Sequence, residues 1–131
     1  MSEHENETVV RSFYAAFETA GYECTVRELL VDDVKWHVAG NNPLAGDFIG
    51  IDAVVGAMRR YDEHSHHTLK LDTRSVFADE HHAVAIHWAT AHREGFAYRA
   101  HEIDVFHLSG GLITEFWSFS EDQDATDALW S

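Results

Sequence analysis

Cysteine and proline are almost absent from this sequence, since Cys24 and Pro43 are the only residues of their kinds. A lone cysteine excludes an intramolecular disulfide and agrees with a reducing compartment, so we predict a cytoplasmic protein. No apolar run approaches the ~20 residues that a membrane-spanning helix needs, and the polar, acidic residues 1–8 predict no secretory signal. With no linker, repeat or low-complexity tract, residues 1–131 are expected to form one domain.

Positive charge is also scarce. The chain has 9 basic and 23 acidic residues, which gives a formal net charge of -14. Nucleic acid and anionic membrane surfaces both require a positive face, so neither is expected as a partner. The acidic excess is typical of a solvated surface, and it would also suit a salt-adapted organism because salt screens self-repulsion.

Apolar residues at helical spacing predict three helices in the first half of the chain. The first covers about 5–20, a short second begins near Thr25, and the third covers about 51–64. Ser2 and Glu5 have the spacing of a capping box for the first helix.

The remaining segments predict strands. Residues 34–38 alternate between apolar and polar, residues 40–50 form a loop with asparagine, proline and glycine, and the end of the chain is a short acidic helix over 121–130. Helices segregated from an antiparallel sheet define an α+β fold. The four later strands are expected at about 69–77, 82–93, 96–108 and 112–119.

Local motifs along nearly the whole chain resemble a known superfamily. They are VVxxFYAAF from Val9, LVDDVxWHVxG from Leu30, NPLAG from Asn42 and FHLxGGLIxEFW from Phe106. These resemble the NTF2-like superfamily, and within it SnoaL-like and ketosteroid-isomerase-like proteins. The resemblance implies a cone: a curved antiparallel or mixed sheet, wrapped with three helices from the N-terminal half around one pocket. This fold hosts isomerases, cyclases, hydrolases and non-catalytic modules, so function depends on the site.

Comparison with ketosteroid isomerases leaves one of three catalytic roles in place. Those enzymes use an Asp base and an oxyanion hole of a Tyr and a protonated Asp. The resemblance places Asp104 at the protonated Asp, but Val38 at the base and Phe13 at the Tyr. Valine cannot abstract a proton and phenylalanine cannot donate a hydrogen bond. Tyr14 lies about 100° further round the helix, so it is not the expected substitute.

Most catalytic residues of two other families with this fold are also missing from this chain. Limonene-epoxide hydrolases use an Asp-Arg-Asp set, and here Arg99 lies near the matching strand while Phe119 stands in place of the second Asp. SnoaL-like cyclases place an acid/base Asp shortly after the last strand, where this chain has Glu121 and Asp122. These two carboxylates are also explained as a favourable helix N-terminus.

Strand alternation places Glu102 and Asp104 on one face. Two carboxylates in an apolar pocket raise each other's pKa, so one can stay protonated as an acid or donor. Otherwise Asp104 pairs with a buried polar group and Glu102 is solvated. His37 titrates near neutrality and would serve as a base if a bulge turned it inward; in an ideal strand it points to the outer face.

The outer sheet face is predicted to bear His87, His101 and His107. Trp117 should share one face of the last strand with Phe119, opposite Phe116, and an exposed Trp-plus-Phe face needs a partner. We therefore predict a homodimer through the outer sheet face. The clustered histidines at 64–67 lack the ligand pattern of a metal site, so no metal and no cofactor are predicted.

The leading hypothesis is a protein that binds a small apolar ligand in a conical pocket, with acid/base chemistry of the isomerase, cyclase or hydrolase type. The alternative is a non-catalytic ligand-binding or dimerisation module. The predicted catalytic residues are Asp104 and His37, and the predicted ligand-binding residues are Phe13, Trp36, Val38, Met58, Glu102, Phe106 and Phe116.

Overall fold

The computed structural model describes residues 3–131, and side chains from residue 5 onward. The capping box predicted with Ser2 lies outside these residues. The elements follow the predicted order with one addition: α1 (Glu3–Ala16), α2 (Tyr22–Leu29), β1 (Leu30–Val38), β2 (Gly46–Ile49), α3 (Ile51–His64), β3 (Lys70–Ala78), β4 (His82–Arg93), β5 (Phe96–Ser109), β6 (Leu112–Ser120) and α4 (Gln123–Trp130).

Six strands form one mixed, open sheet in the order β2-β1-β6-β5-β4-β3. The strands from β3 to β6 make an antiparallel meander, and β1 runs parallel to β6. The predicted α+β class, with a mixed sheet, is therefore confirmed. The loop predicted over 40–50 is wrong in part, because Gly46–Ile49 pairs with β1 as an edge strand. Gly and Asp are poor strand formers, so this strand depends on a partner that no local pattern reveals.

The core lies between the helices and the inner sheet face. Its members from α1 are Val10, Phe13, Tyr14 and Ala16, all nearly fully buried. The inner residues of β4 are small apart from one, with alanine at positions 83, 85, 89 and 91. Small residues on this strand leave room above the sheet for a cavity. None of the helices within 3–131 is long and apolar enough to cross a membrane.

Candidate functional site

A cavity of about 690 Å³ opens between the helices and the inner face of the sheet. It is within the range of small-molecule sites in proteins. Its wall is mainly apolar, with aromatic rings from α1 and the turn after it, α2, β1, α3, β6 and α4. The aromatic lining residues are Phe13, Tyr14, Phe17, Tyr22, Trp36, Tyr61, Phe116, Phe119 and Trp130.

Tyr14 and Asp104 form a hydrogen bond at the buried end of this cavity. The phenol donates to Oδ2 of the carboxylate, and the two residues are only 6% and 7% exposed. Burial and the neighbouring Asp104 charge raise the pKa of Tyr14 well above its usual value, so the phenol stays a donor.

The expectation that Tyr14 would point elsewhere is wrong. Both Phe13 and Tyr14 line the cavity, because α1 lies in the concave side of the sheet and buries an arc wide enough for adjacent residues about 100° apart. The ring of Phe13 packs edge to face against those of Tyr14 and Phe116, at ring-centroid separations of 5.3 and 5.6 Å.

His87 is a cavity residue, and its predicted place on the outer face is wrong. It is 1% exposed, and its Nε2 lies 4.0 Å from Oδ2 of Asp104, beyond hydrogen-bond length. Its Nδ1 is buried and has no hydrogen-bond partner among the described residues. Burial lowers the pKa of His87 and the charge of Asp104 opposes this shift, so the ring is neutral at neutral pH.

The pairing register of β4 and β5 could have predicted that His87 faces the cavity. The Glu94-Gly95 turn pairs Arg93 with Phe96 and so places His87 opposite Glu102. Directly opposed residues in an antiparallel pair share a face. The inward prediction for Glu102 therefore implied the same for His87.

Glu102 lines the cavity as predicted, in a second polar cluster. Its Oε2 accepts a hydrogen bond of 2.8 Å from Tyr98, whose hydroxyl also lies 2.8 Å from Oγ1 of Thr126 and 3.3 Å from Oγ of Ser120. Burial raises the pKa of Glu102 to about 7, with a further increase from the Asp104 charge and an opposing effect of the Tyr98 hydrogen bond.

His37 does not face the cavity, so its predicted pairing with Asp104 is wrong. The register shift in β1 falls between Leu30 and Lys35, before the segment where inward rotation was needed. Alternation is therefore intact from Trp36 onward. His37 points outward, with Nδ1 2.7 Å from Asp47 and Nε2 2.6 Å from Glu115. The hydrogen bond to Asp47 raises the pKa of His37, desolvation by burial partly opposes this shift, and the hydrogen bond to Glu115 raises the pKa further.

Most of the other predicted wall residues do line the cavity, namely Phe13, Trp36, Val38, Met58 and Phe116. Phe106 does not, because it is fully buried behind the wall and stacks on Phe116 at 5.4 Å. Trp36 is fixed by its Nε1, which donates to Oγ of Ser118 over 2.8 Å.

Of the residues compared with epoxide hydrolases and cyclases, Phe119 lines the cavity, whereas Arg99, Glu121 and Asp122 have structural roles outside it. Arg99 lies 3.9 Å above the ring of Trp88. Asp122 caps α4 by accepting from the backbone N–H of Ala125, and Glu121 bonds His101. Within the described residues, no group of three or more His, Cys, Asp or Glu side chains could hold a metal ion.

Comparisons with known proteins agree with this architecture. Residues 10–116 match the SnoaL-like domain family. An uncharacterised protein of Mycobacterium tuberculosis is 26% identical over 132 residues, with 100% of each chain covered, and one of Mycobacterium bovis matches equally.

Two solved structures show how closely the backbone is shared. Bal32a, from a soil-derived mobile gene cassette, superposes with a TM-score of 0.93 at 28% identity over 98% of each chain. An NTF2-like protein from Burkholderia xenovorans has a TM-score of 0.84 at 18% identity and covers 100% of this chain and 99% of that one. Because the family match spans most of the chain, this protein belongs to the SnoaL-like domain family, with the NTF2-like fold.

Proposed function

We propose that the protein binds a small, largely apolar molecule bearing a carbonyl or hydroxyl oxygen, and that it moves a proton on that molecule. The observation that carries the proposal is the convergence of Tyr14, His87 and Asp104 in one apolar cavity of about 690 Å³. The proposed activity is acid/base chemistry of the isomerase, cyclase or hydrolase type, and it uses these side chains without a cofactor.

The ionisation state of each of the three side chains determines its role in the proposed proton transfer. Tyr14 stays neutral because its pKa is raised, so it donates a hydrogen bond at the end of the cavity. His87 is neutral because burial lowers its pKa, so a ring nitrogen can accept a proton from the substrate. The resulting imidazolium lies beside Asp104, whose carboxylate favours the charged ring. In an isomerisation or cyclisation His87 returns the proton to another substrate atom, so no other reactant is consumed.

Asp104 is the acceptor that organises this centre. Tyr14 bonds only Oδ2, and Oδ1 has no hydrogen-bond donor among the described residues. A substrate hydroxyl that donates to Oδ1 would therefore sit next to both the phenol and the imidazole.

The Tyr14–Asp104 bond also favours a second candidate, a ligand-binding module without catalysis. In that case Asp104 is a satisfied structural acceptor and His87 has no proton to move. The two candidates share the ligand and differ in turnover.

Variants of Asp104 and His87 separate the candidates once a ligand is identified among molecules that co-purify with the protein. Asp104→Asn and His87→Gln should both abolish conversion of the ligand, followed by mass spectrometry, while the melting temperature changes little. If both variants bind the ligand and wild type releases it unchanged, the non-catalytic candidate is correct. If no co-purified or added small molecule binds in the cavity, both candidates fail.

A further inference from the structure

A second tyrosine–carboxylate pair in the same cavity has no part in the proposed reaction. Glu102 accepts from Tyr98, as Asp104 accepts from Tyr14. The two carboxylates are two residues apart on β5 and face the same space. In each pair one carboxylate oxygen has no hydrogen-bond donor among the described residues. Each of these two carboxylates thus presents one oxygen to the cavity without a donor from the described part of the protein.

Within residues 5–131, the surroundings of these two carboxylates lack buried cationic side chains. Among the described lining residues, the Lys and His side chains other than His87 are Lys70 and His67, which are exposed, and no Arg lines the cavity. His67 is already 2.7 Å from Asp62. An anionic ligand would therefore approach Glu102 and Asp104 without a fixed counter-charge, which is unfavourable in a poorly solvated site.

Two further features indicate that a ligand belongs here. Buried His87 has a ring nitrogen without a partner, so the surrounding protein does not satisfy this part of the site. Aromatic faces also line the space: Tyr61 packs edge to face on Trp130 at 4.9 Å, and the Glu102 charge contributes to the raised pKa of Tyr61. Aromatic rings beside carboxylates are the arrangement that binds organic cations.

We propose that the ligand carries a protonated amine, which Glu102 and Asp104 bind through their free carboxylate oxygens while the aromatic wall surrounds the apolar body. This inference rests on the proposed function, because it names the class of molecule that the cavity takes. An ammonium group supplies up to three donors and offsets the repulsion between the two carboxylates. An alcohol supplies one donor and no charge, and a carboxylate ligand adds a third negative charge.

Binding of an amine should strengthen as pH rises through about 7, because burial raises the pKa of Glu102 to about 7 and the cation needs the ionised form. The titratable groups that face Glu102 are Tyr14 on α1, Tyr61 on α3, and Tyr98 and Asp104 on β5. The pKa values of all three tyrosines are raised, so they remain neutral across this range. His87 is the register partner of Glu102, and its lowered pKa keeps it neutral there as well.

The test uses two matched sets of probes on the full chain, measured by calorimetry. One set is biphenylmethylamine, biphenylmethanol and biphenylcarboxylate, and the other is decylamine, decanol and decanoate. Within each set the amine should bind at least about tenfold more tightly than the alcohol, and the carboxylate most weakly.

Glu102→Gln should remove the preference for the amine and leave alcohol binding unchanged, whereas Glu102→Asp should keep it. Glu28→Gln, which removes the same charge from the exposed surface of α2, should also keep it. If alcohols bind as tightly as amines, or if the preference survives Glu102→Gln, the inference is wrong and the proposed function stands. If no probe of either set binds at millimolar concentration, both fail.

Discussion

Tyr14 shows how one side chain sets the character of this cavity. Its hydroxyl bonds Asp104 in a place that solvent barely reaches. A buried carboxylate that loses its donor still bears the full cost of desolvation. Removing one partner of such a pair therefore destabilises the protein by more than the net free energy of the hydrogen bond. The bond holds the Asp104 carboxylate in one position.

Tyr14→Phe should therefore lower the free energy of unfolding by about 1–3 kcal/mol, measured by urea denaturation at pH 7. Tyr22→Phe is the matched control, because Tyr22 also lines the cavity but its hydroxyl has no hydrogen-bond partner among the described residues. Equal losses in the two variants would show that the Tyr14–Asp104 bond is not stabilising.

Glu102 makes stability depend on pH in a defined window. The pKa of Glu102 is about 7 in the folded protein against an ordinary value of 4.5. Between these values the folded state binds the proton more tightly than the unfolded state, so this group's contribution falls as pH rises from about 4.5 to 7 and is constant above. Relative to Glu102→Gln, wild type should lose up to about 3 kcal/mol across this window.

Denaturation of both proteins at several pH values gives this difference directly. Parallel curves for wild type and Glu102→Gln would mean that Glu102 ionises normally and is solvated. A falling difference would mean that it faces a poorly solvated cavity.

The side-chain positions that the sequence predicts best are those that follow from strand alternation. Asp104, Glu102, Trp36 and Val38 all line the cavity as expected. Tyr14 was missed because helix spacing alone does not give the width of the buried arc. His37 would face inward only if a bulge broke the alternation near it, and the register shift lies upstream, so the alternative of an outer-face histidine is correct.

At the scale of elements, α4 is held against the loop that follows β1. Asp127 accepts hydrogen bonds from the backbone of Asn41 at 2.9 Å and from the side chain of Asn42 at 2.8 Å. Gly40 has φ of +132°, and a Cβ there would lie 2.7 Å from both Asp127 Oδ1 and Gln123 Nε2. A Cβ at Gly40 would therefore push the side-chain ends of Asp127 and Gln123 out of their hydrogen bonds, and the positive φ also favours glycine.

Gly40→Ala should lower the free energy of unfolding by about 1–2 kcal/mol more than Gly46→Ala. Gly46 is the matched control because its φ of +139° carries the same backbone strain but nothing lies within 4 Å of the added Cβ. Hydrogen exchange should also quicken in α4 in the first variant only. Equal stability losses and unchanged exchange would show that the loop does not hold α4.

Helices and strands could be predicted from the sequence wherever the apolar periodicity extends over many residues. The third helix was predicted at the bounds that the structure gives, Ile51–His64. The edge strand β2 was missed, because four residues with glycine and aspartate carry too little pattern and the strand forms through pairing with β1.

At the scale of the whole molecule, β4 and β5 turn bulky apolar side chains away from the cavity. Half-buried Val84, Ile86, Ile103 and Val105 lie on the outer face, with Trp117 from β6. Trp117 stacks on His37 at 5.2 Å between ring centroids. An apolar patch rimmed by polar groups marks an interaction surface, and we propose that a second copy of the chain covers it.

Sedimentation velocity at micromolar concentration should show a dimer of the 14.9 kDa chain. With a net charge of -14 per chain, association should tighten as salt screens the repulsion. Val105→Glu should give a monomer, while Thr25→Glu, the same charge change on α2, should not. A wild-type monomer at every salt concentration would contradict the proposal.

The central claim is that the cavity holds a small molecule, and mass spectrometry of the protein itself tests this most directly. Wild type and Val38→Trp, a variant that narrows the cavity from β1, are incubated with metabolite and lipid extracts of the host cell, purified and measured intact and after denaturation. The account predicts one bound small molecule per wild-type chain and a lower occupancy in Val38→Trp. It is contradicted if wild type carries nothing, or if both proteins carry the same molecule in equal amount.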